Sequence, residues 1–260
     1  MQADRGSGFG RPIPRSVVVS GGGTGIGRAV ARRFALAGDD VVIIGRREPV
    51  VAEAADALNE EAGRAAVRAL AGDLSVTEEA ARVAASLADG GPAVDVIVNN
   101  AGGVGTETGE GLPGVEADWE AEFRRNVLTA VLLTAALEDR LRRPGASIVN
   151  VSSIAALRGG GDSYSGAKAA IIGWTLDLAA RLGPEGIRVN AVVPGYVADT
   201  EFFGDRMTKE RHERLVGATL LGRAGTPEDV AGGVFFLASE DASYITGQLV
   251  QINGGALLGR

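Results

Sequence analysis

Tyr164 and Lys168 stand four residues apart in the stretch 162–172, DSYSGAKAAII. The apolar positions that follow, Ile171, Ile172, Trp174, Leu176, Leu178 and Leu182, recur at helical intervals, so the two polar side chains share one helical face. A phenol ordinarily loses its proton near pH ~10, and an ammonium beside it favours the phenolate. Such a pair is suited to exchanging a proton nearer neutrality. The same spacing also occurs by chance on ordinary helices, so the chemistry depends on what the rest of the chain places beside it. Composition removes the competing chemistries. There is no cysteine, and the single histidine, His212, leaves too few imidazoles for a zinc site or a Ser-His-Asp triad; no metal site is expected. His212 falls in a charged run and reads as a solvated surface residue.

The elements that must hold the pair are visible as alternation. Val- and Ile-rich runs at 16–19, 41–44, 65–70, 94–98, 147–151, 188–193 and 248–252 are continuous in hydrophobicity, as strands buried on both faces are. Helical patterns at 27–36, 48–61, 77–88, 117–142, 164–182 and 227–238 lie between them. Strand and helix in turn predict an α/β fold: a single doubly wound parallel sheet, a Rossmann fold, with helices on both faces. Residues 1–14 read as a flexible leader and 15–260 as one domain. A net charge of −7 argues against nucleic-acid binding, no run of about 18 apolar residues is present for a membrane, and a soluble, cytoplasmic protein is expected.

Directly after the first strand, SGGGTGIG at 20–27 opens the first helix. Glycines there let the backbone approach a pyrophosphate, and the helix start supplies free N–H groups. Gly21, Gly23, Thr24, Gly25, Ile26 and Gly27 are therefore candidate cofactor residues. The second strand ends in Gly45-Arg46-Arg47, without the carboxylate that would take up the ribose hydroxyls of NAD(H). Arg46 and Arg47 suit a 2′-phosphate, which favours NADP(H), with NAD(H) as the alternative. Asp39 and Asp40 precede that strand and belong at the opposite edge of the sheet. Asp73 and Leu74 sit at the end of the third strand, where Asp73 is placed either to accept from an adenine amino group or to cap the next helix. Asn126 is a polar residue in the apolar stripe of the 117–142 helix, which reads as core or subunit interface.

The loop S-G-x-x-x-G-x-G, NNAGG at 99–103, the serines 152–153 before Y-x-x-x-K, and Pro194-Gly195 followed by Thr200 together resemble the classical short-chain dehydrogenase/reductase family, in its order and over nearly the whole chain from about residue 15. Within the family the chain looks most like the 3-oxoacyl-[acyl-carrier-protein] reductases. The resemblance implies an NADP(H)-dependent oxidoreductase interconverting a ketone and a secondary alcohol. In it Tyr164 would be the general acid, Lys168 would tune Tyr164 and hold the nicotinamide ribose, Ser153 would polarise the carbonyl and Asn126 would anchor a proton relay. The separation of 11 residues between Ser153 and Tyr164 is short for the family, which keeps Ser152 open as the alternative. Asn100, Ala101 and Gly102 would line the cofactor cleft, and Pro194, Gly195, Val197 and Thr200 would close over the nicotinamide and phosphates. Residues 198–222 would form a substrate lid roofed by Phe202, Phe203, Met207 and Leu215. A homotetramer is implied. An acidic acyl-carrier protein as partner would need basic residues, for which Arg140, Arg142 and Arg143 are candidates although Glu185 opposes them. The alternatives are a free small ketone, polyketide intermediate or secondary alcohol as substrate, and, more remotely, a non-catalytic NADP(H)-binding sensor.

Overall fold

The computed structural model describes residues 14–88, 91–105 and 109–259. The expected leader lies, but for Pro14, outside the described residues. Seven strands, β1 (Ser16–Ser20), β2 (Asp40–Gly45), β3 (Val67–Ala71), β4 (Val96–Asn99), β5 (Ser147–Val151), β6 (Arg188–Pro194) and β7 (Leu249–Ile252), form one sheet in the order β3-β2-β1-β4-β5-β6-β7. Every pairing is parallel. The sheet reverses direction of growth between β1 and β4, the place where such folds open a crevice at the strand C-termini.

Alternate side chains feed two cores. On one face Val17, Val19, Ile43 and Val98 pack on α1 (Gly25–Leu36), α2 (Glu48–Ala62) and α9 (Pro227–Leu237). On the other, Val18, Ile44, Ile97 and Ile148 pack on α3 (Thr77–Ala88), α5 (Thr129–Leu137) and α7 (Ser163–Leu182). Burial on both faces is why the inner strands read as unbroken apolar runs; the edge strands β3 and β7 are only partly buried. The helix α9 starts with a capping box: Thr226 Oγ1 accepts from the Asp229 N–H and the Asp229 carboxylate accepts from the Thr226 N–H.

Asp39 lies at the N-terminal edge of the sheet, as its position before β2 required. Its carboxylate accepts from Arg15 Nε at 2.9 and 3.0 Å and from the Arg15 N–H at 3.1 Å. The guanidinium also donates to the Ala238 carbonyl at 2.9 Å and lies against the Phe34 and Phe235 rings, 5.0 and 5.3 Å from their centroids. One buried pair thus joins the starts of β1 and β2 to the end of α9.

The expected single helix at 117–142 is corrected. The chain forms α4 (Gly111–Phe123), a π-helical turn at Arg124–Leu128, and then α5, followed by a 3-10 turn at Glu138–Arg140. Two side chains account for the wide turn. Asn126 Nδ2 donates to the Glu122 carbonyl at 3.1 Å and Thr129 Oγ1 donates to the Arg125 carbonyl at 3.0 Å, taking acceptors that the helical ladder would otherwise use. The early start at Gly111 tolerates Pro113 because the first turn has no N–H partners to lose. Val94, expected inside the fourth strand, makes only an isolated bridge to Leu141. Two short helices, α6 (Ala155–Arg158) and α8 (Lys209–Gly217), complete the order; α8 lies within the expected lid.

Candidate active site

The C-terminal ends of β1 to β6 open into one cleft of about 990 Å³. All the site residues expected from sequence line it except Gly27 and Asn126, which lie one layer behind. Gly27 is where α1 meets the loop after β1: a Cβ there would come within 2.1 Å of the Gly21 carbonyl oxygen. Ser20 ties that loop to the next strand. Its Oγ accepts from the N–H groups of Asn100 and Ala101, both at 3.0 Å, while Asn100 Nδ2 donates to the Ser20 and Gly21 carbonyls at 3.0 and 3.2 Å. Thr24 makes no side-chain cap, so the first N–H groups of α1 face the cleft uncapped. Thr200 reaches over them, 3.3 Å from where a Gly25 Cβ would be.

At the far end of β2, Arg46 is exposed and makes no ion pair among the described residues, whereas Arg47 donates to Glu201 at 2.7 Å across the cleft mouth. The two guanidiniums expected together are therefore not equivalent. Leu74 is buried. Asp73 Oδ1 accepts from the Ser75 N–H at 2.9 Å and from its hydroxyl at 2.7 Å, a local turn that commits one carboxylate oxygen and leaves the other. Burial pushes the Asp73 carboxyl up, but the Ser75 bonds and the charges of Arg46 and Arg124 outweigh it, and the net shift is downward.

Tyr164 and Lys168 project from the first turns of α7 into the floor of the cleft. Lys168 is 4% exposed, and its Nζ donates to the Val151 carbonyl at 3.0 Å. Burial pushes its ammonium down from the ordinary 10.5 to about 8, against the charge of Glu122, which raises it. Tyr164 is pushed up to about 12, chiefly by burial; Glu122 also raises it, and a hydrogen bond with Ser153 lowers it. This corrects the expectation that the ammonium alone would favour the phenolate. Nζ lies 5.8 Å from the ring centroid and spends its short contact on Val151, so desolvation of the phenol wins.

Both serines line the cleft, but their hydroxyls differ in partner: Ser152 is buried and donates to the Lys168 carbonyl at 2.8 Å, whereas Ser153 is half-buried, hydrogen-bonds Tyr164 and accepts from the Ala155 N–H at 3.2 Å. Beneath them a buried amide ladder crosses the sheet: Asn99 Nδ2 donates to Thr134 at 2.9 Å and to Asn150 at 2.8 Å, and Asn150 donates to Thr175 at 2.9 Å. Above, Phe202 packs edge-on to Tyr164 with centroids 5.4 Å apart, and Phe203 packs on Phe202 at 4.8 Å. His212 is exposed but not merely solvated. Its Nδ1 lies 2.8 Å from the Tyr196 hydroxyl, which ties α8 to the segment after β6.

One expectation is displaced. Arg142 and Arg143 are engaged with Asp95 and Glu185, and Arg140 and Arg142 pair through their backbones with Val94, at the sheet edge opposite the cleft. Besides Arg46, Arg47, Arg124 and Arg125, the arginines that line the cleft are Arg158, Arg206 and Arg211. Reasoning from sequence also passed over Glu122, although a Glu one helical turn before Asn126 on the same face was a readable signal.

The state of Lys168 gives a stability prediction. Between pH 8 and 10.5 the unfolded chain holds a proton that the folded chain has released, so stability rises with pH across that window and is lowest below it. Lys168→Met is expected to melt above the wild type at pH 7, with the gap closing towards pH 10.5; thermal melts across that range check it. An unchanged melting temperature at pH 7 would show that the ammonium is not strained by burial.

Comparison with known proteins places the whole chain. A family model described as enoyl-(acyl carrier protein) reductase matches residues 21–256. The 3-oxoacyl-[acyl-carrier-protein] reductase FabG of Chlamydia muridarum is 36% identical over 247 residues, covering 94% of this chain and 97% of the relative. A glucose and ribitol dehydrogenase homolog of Oryza sativa subsp. japonica is 35% identical, covering 93% and 85%. The crystal structure of a short-chain dehydrogenase/reductase, a glucose/ribitol dehydrogenase from Brucella melitensis, superposes with a TM-score of 0.83 at 28% identity, covering 94% of this chain and 97% of that one. A chain matched along nearly its full length in sequence and in fold belongs to the short-chain dehydrogenase/reductase family, as an oxidoreductase acting on CH–OH groups with NAD(P) as acceptor.

Proposed function

We propose that the chain interconverts a ketone and a secondary alcohol with NADP(H), on a substrate of the 3-oxoacyl thioester class. The observation that carries this reading is the convergence of the Tyr164 phenol and the Ser153 hydroxyl on one point of the cleft floor, under an apolar roof of Phe202 and Phe203. Two hydroxyls meeting at one place suit one carbonyl oxygen. Ser153 donates to it, and Tyr164 passes its proton to it as the carbonyl becomes an alkoxide. Lys168 holds positive charge beneath the phenol and reaches the nicotinamide ribose, and Asn126 anchors a relay of protons between Lys168 and solvent. The cofactor, when bound, supplies or accepts the hydride.

The cleft fits such a dinucleotide. The uncapped start of α1 with Gly21, Gly23, Thr24, Gly25 and Ile26 suits the pyrophosphate; Gly27 lets α1 sit close enough to present it. A Cβ on Gly102 would stand 2.5 Å from Asn126 Oδ1 and 3.1 Å from Lys168 Nζ, so a bare backbone is needed where a ribose passes. The free oxygen of Asp73, with Leu74, suits the adenine. Asn100 and Ala101 line the ribose side, and Pro194, Gly195, Val197 and Thr200 the nicotinamide side. Arg46 is the cation ready for a 2′-phosphate, with Arg47 available once it leaves Glu201. Arg46→Ala is expected to lower kcat/KM for NADPH by about 10–100-fold, the loss of one charge-assisted contact, with little change for NADH.

The roof favours an acyl chain over the polyols named by the glucose and ribitol relatives, and Arg158, Arg206 and Arg211 give the mouth a charge that suits an acidic acyl-carrier protein. No described helix is long and apolar enough to cross a membrane, and we place the protein in the cytoplasm. The half-exposed Trp119, Phe123 and Leu176 on α4 and α7 would be covered in a homotetramer. Initial rates with NADPH and NADH against a 3-oxoacyl thioester, a 2-enoyl thioester, a ketose and a simple ketone test the whole reading. NADPH-linked reduction of the 3-oxoacyl thioester is expected. Turnover of the enoyl substrate alone would overturn the carbonyl reading, and preference for NADH would overturn the role given to Arg46.

A further inference from the structure

Glu122 lies in the last turn of α4 and is 4% exposed. A carboxylate is retained at such depth only with its oxygens satisfied. Here Oε1 accepts from the Gly105 N–H and from Arg125 Nη1 at 2.9 Å, and Oε2 accepts from Asn126 Nδ2 at 2.7 Å. Pairing with Arg125 alone would explain a buried salt bridge. The second oxygen is spent instead on the amide that faces the active site.

Asn126 Nδ2 has three acceptors around it: Glu122 Oε2, the Gly103 carbonyl at 2.9 Å and the Glu122 carbonyl at 3.1 Å. A nitrogen surrounded by acceptors fixes which end of the amide is which. Oδ1 is therefore left to accept from the Gly103 N–H at 3.0 Å and to face Lys168 Nζ across Gly102. The π-helical turn belongs to the same device, since the side chain of Asn126 takes the Glu122 carbonyl out of the ladder.

We propose that Glu122 is a positioning residue for proton transfer: its carboxylate locks the Asn126 amide in one orientation and sets a fixed negative charge behind the Tyr164–Lys168 pair. The inference rests on the reading of that pair as the proton-transfer groups. The charged and titratable groups around Lys168 are few. Tyr164 shares its helix, Glu122 with its partner Arg125 comes from α4 and the π-turn, and β5 and the loop after β4 contribute a carbonyl, two serines and backbone. Glu122 is the one acidic side chain in this shell among the described residues, and its charge acts on both members of the pair in the same direction, holding the proton on each. Without it, burial would act on Lys168 unopposed and discharge the ammonium at a lower pH.

The chain has only two lysines, Lys168 and the exposed Lys209, so the titration can be read directly. In the full-length protein carrying 13C-labelled lysine and no cofactor, the Cε resonance of Lys168 is followed against pH by NMR. Glu122→Gln is expected to lower its midpoint by roughly half a pH unit or more, with Lys209 unmoved, and to shift the alkaline limb of ketone reduction the same way. Superimposable Lys168 titrations would overturn the proposal. If Glu122→Gln does not fold, Arg125→Met removes the counter-cation and is expected to raise the Lys168 midpoint; no rise would equally overturn it. These titrations need no substrate, so absence of ketone reduction in the wild type would sink the assigned reaction while leaving the coupling measured.

Discussion

Tyr164→Phe is expected to lower kcat for ketone reduction by about 10²–10⁴-fold, the range for loss of a positioned general acid. The substitution removes one oxygen and keeps the ring that packs on Phe202, so the roof and the start of α7 keep their geometry. The lost oxygen has Ser153 as its hydrogen-bonding neighbour, and Ser153 keeps its bond from the Ala155 N–H. Stability should therefore change little, and NADPH affinity, measured by fluorescence titration, should stay near the wild type. A variant that bound cofactor normally and still turned over at the wild-type rate would remove the phenol from the chemistry. The pH profile adds a second reading. In the free chain burial holds the phenol protonated up to about 12, so reduction should not lose its acid from Tyr164 across the neutral range; the first group to titrate on raising pH is Lys168, at about 8.

The largest expected effect on stability lies at the other edge of the sheet. Asp39→Ala leaves the Arg15 guanidinium buried against Phe34 and Phe235 with the Ala238 carbonyl as its remaining hydrogen-bond partner among the described residues. Breaking a buried pair from one side destabilises by about 3–5 kcal/mol. For a chain of this size that corresponds to a melting temperature lower by roughly 6–20 °C. The paired replacement of Arg15 by Met and Asp39 by Leu, which removes both charges and keeps apolar volume, should recover most of the loss. Calorimetry on the wild type and the two variants checks this. Equal losses in the single and the paired replacement would mean that Asp39 matters for the shape of the α1–β2 turn and not for its charge.

The strands were legible because parallel strands buried on both faces leave an unbroken apolar run, and each of the seven lies within two residues of its run in the sequence. The C-terminal glycine and serine motifs were legible for the same reason, since they follow directly on those runs. What sequence periodicity could not show was the break at Arg124–Leu128: Asn126 and Thr129 look helical by spacing, and their competition for backbone carbonyls appears only in three dimensions. Trp119 and Phe123, in the stripe read as core or subunit interface, are 45% and 44% exposed in the single chain, so periodicity marked the stripe without telling core from interface. The arginines at 140–143 were misplaced by chain proximity to a long helix that the fold sends to the far edge. The spacing of Glu122 to Asn126 was readable, but its burial and its bond to the Asn126 amide were not. The state of Tyr164 needed its burial, which no spacing conveys.

The wide turn at Arg124–Leu128 carries a consequence for length. Each residue of an α-helix advances about 100° around the axis, so deleting one position from this segment would bring α4 back into phase with α5 and swing Glu122 and Trp119 by about that angle relative to the sheet. Trp119 would leave Gly166, on which its ring now sits, and Glu122 would leave Asn126. In this stretch the number of residues is thus as strongly constrained as their identity, and single-residue deletions here should be tolerated far less well than side-chain replacements on the same exposed faces.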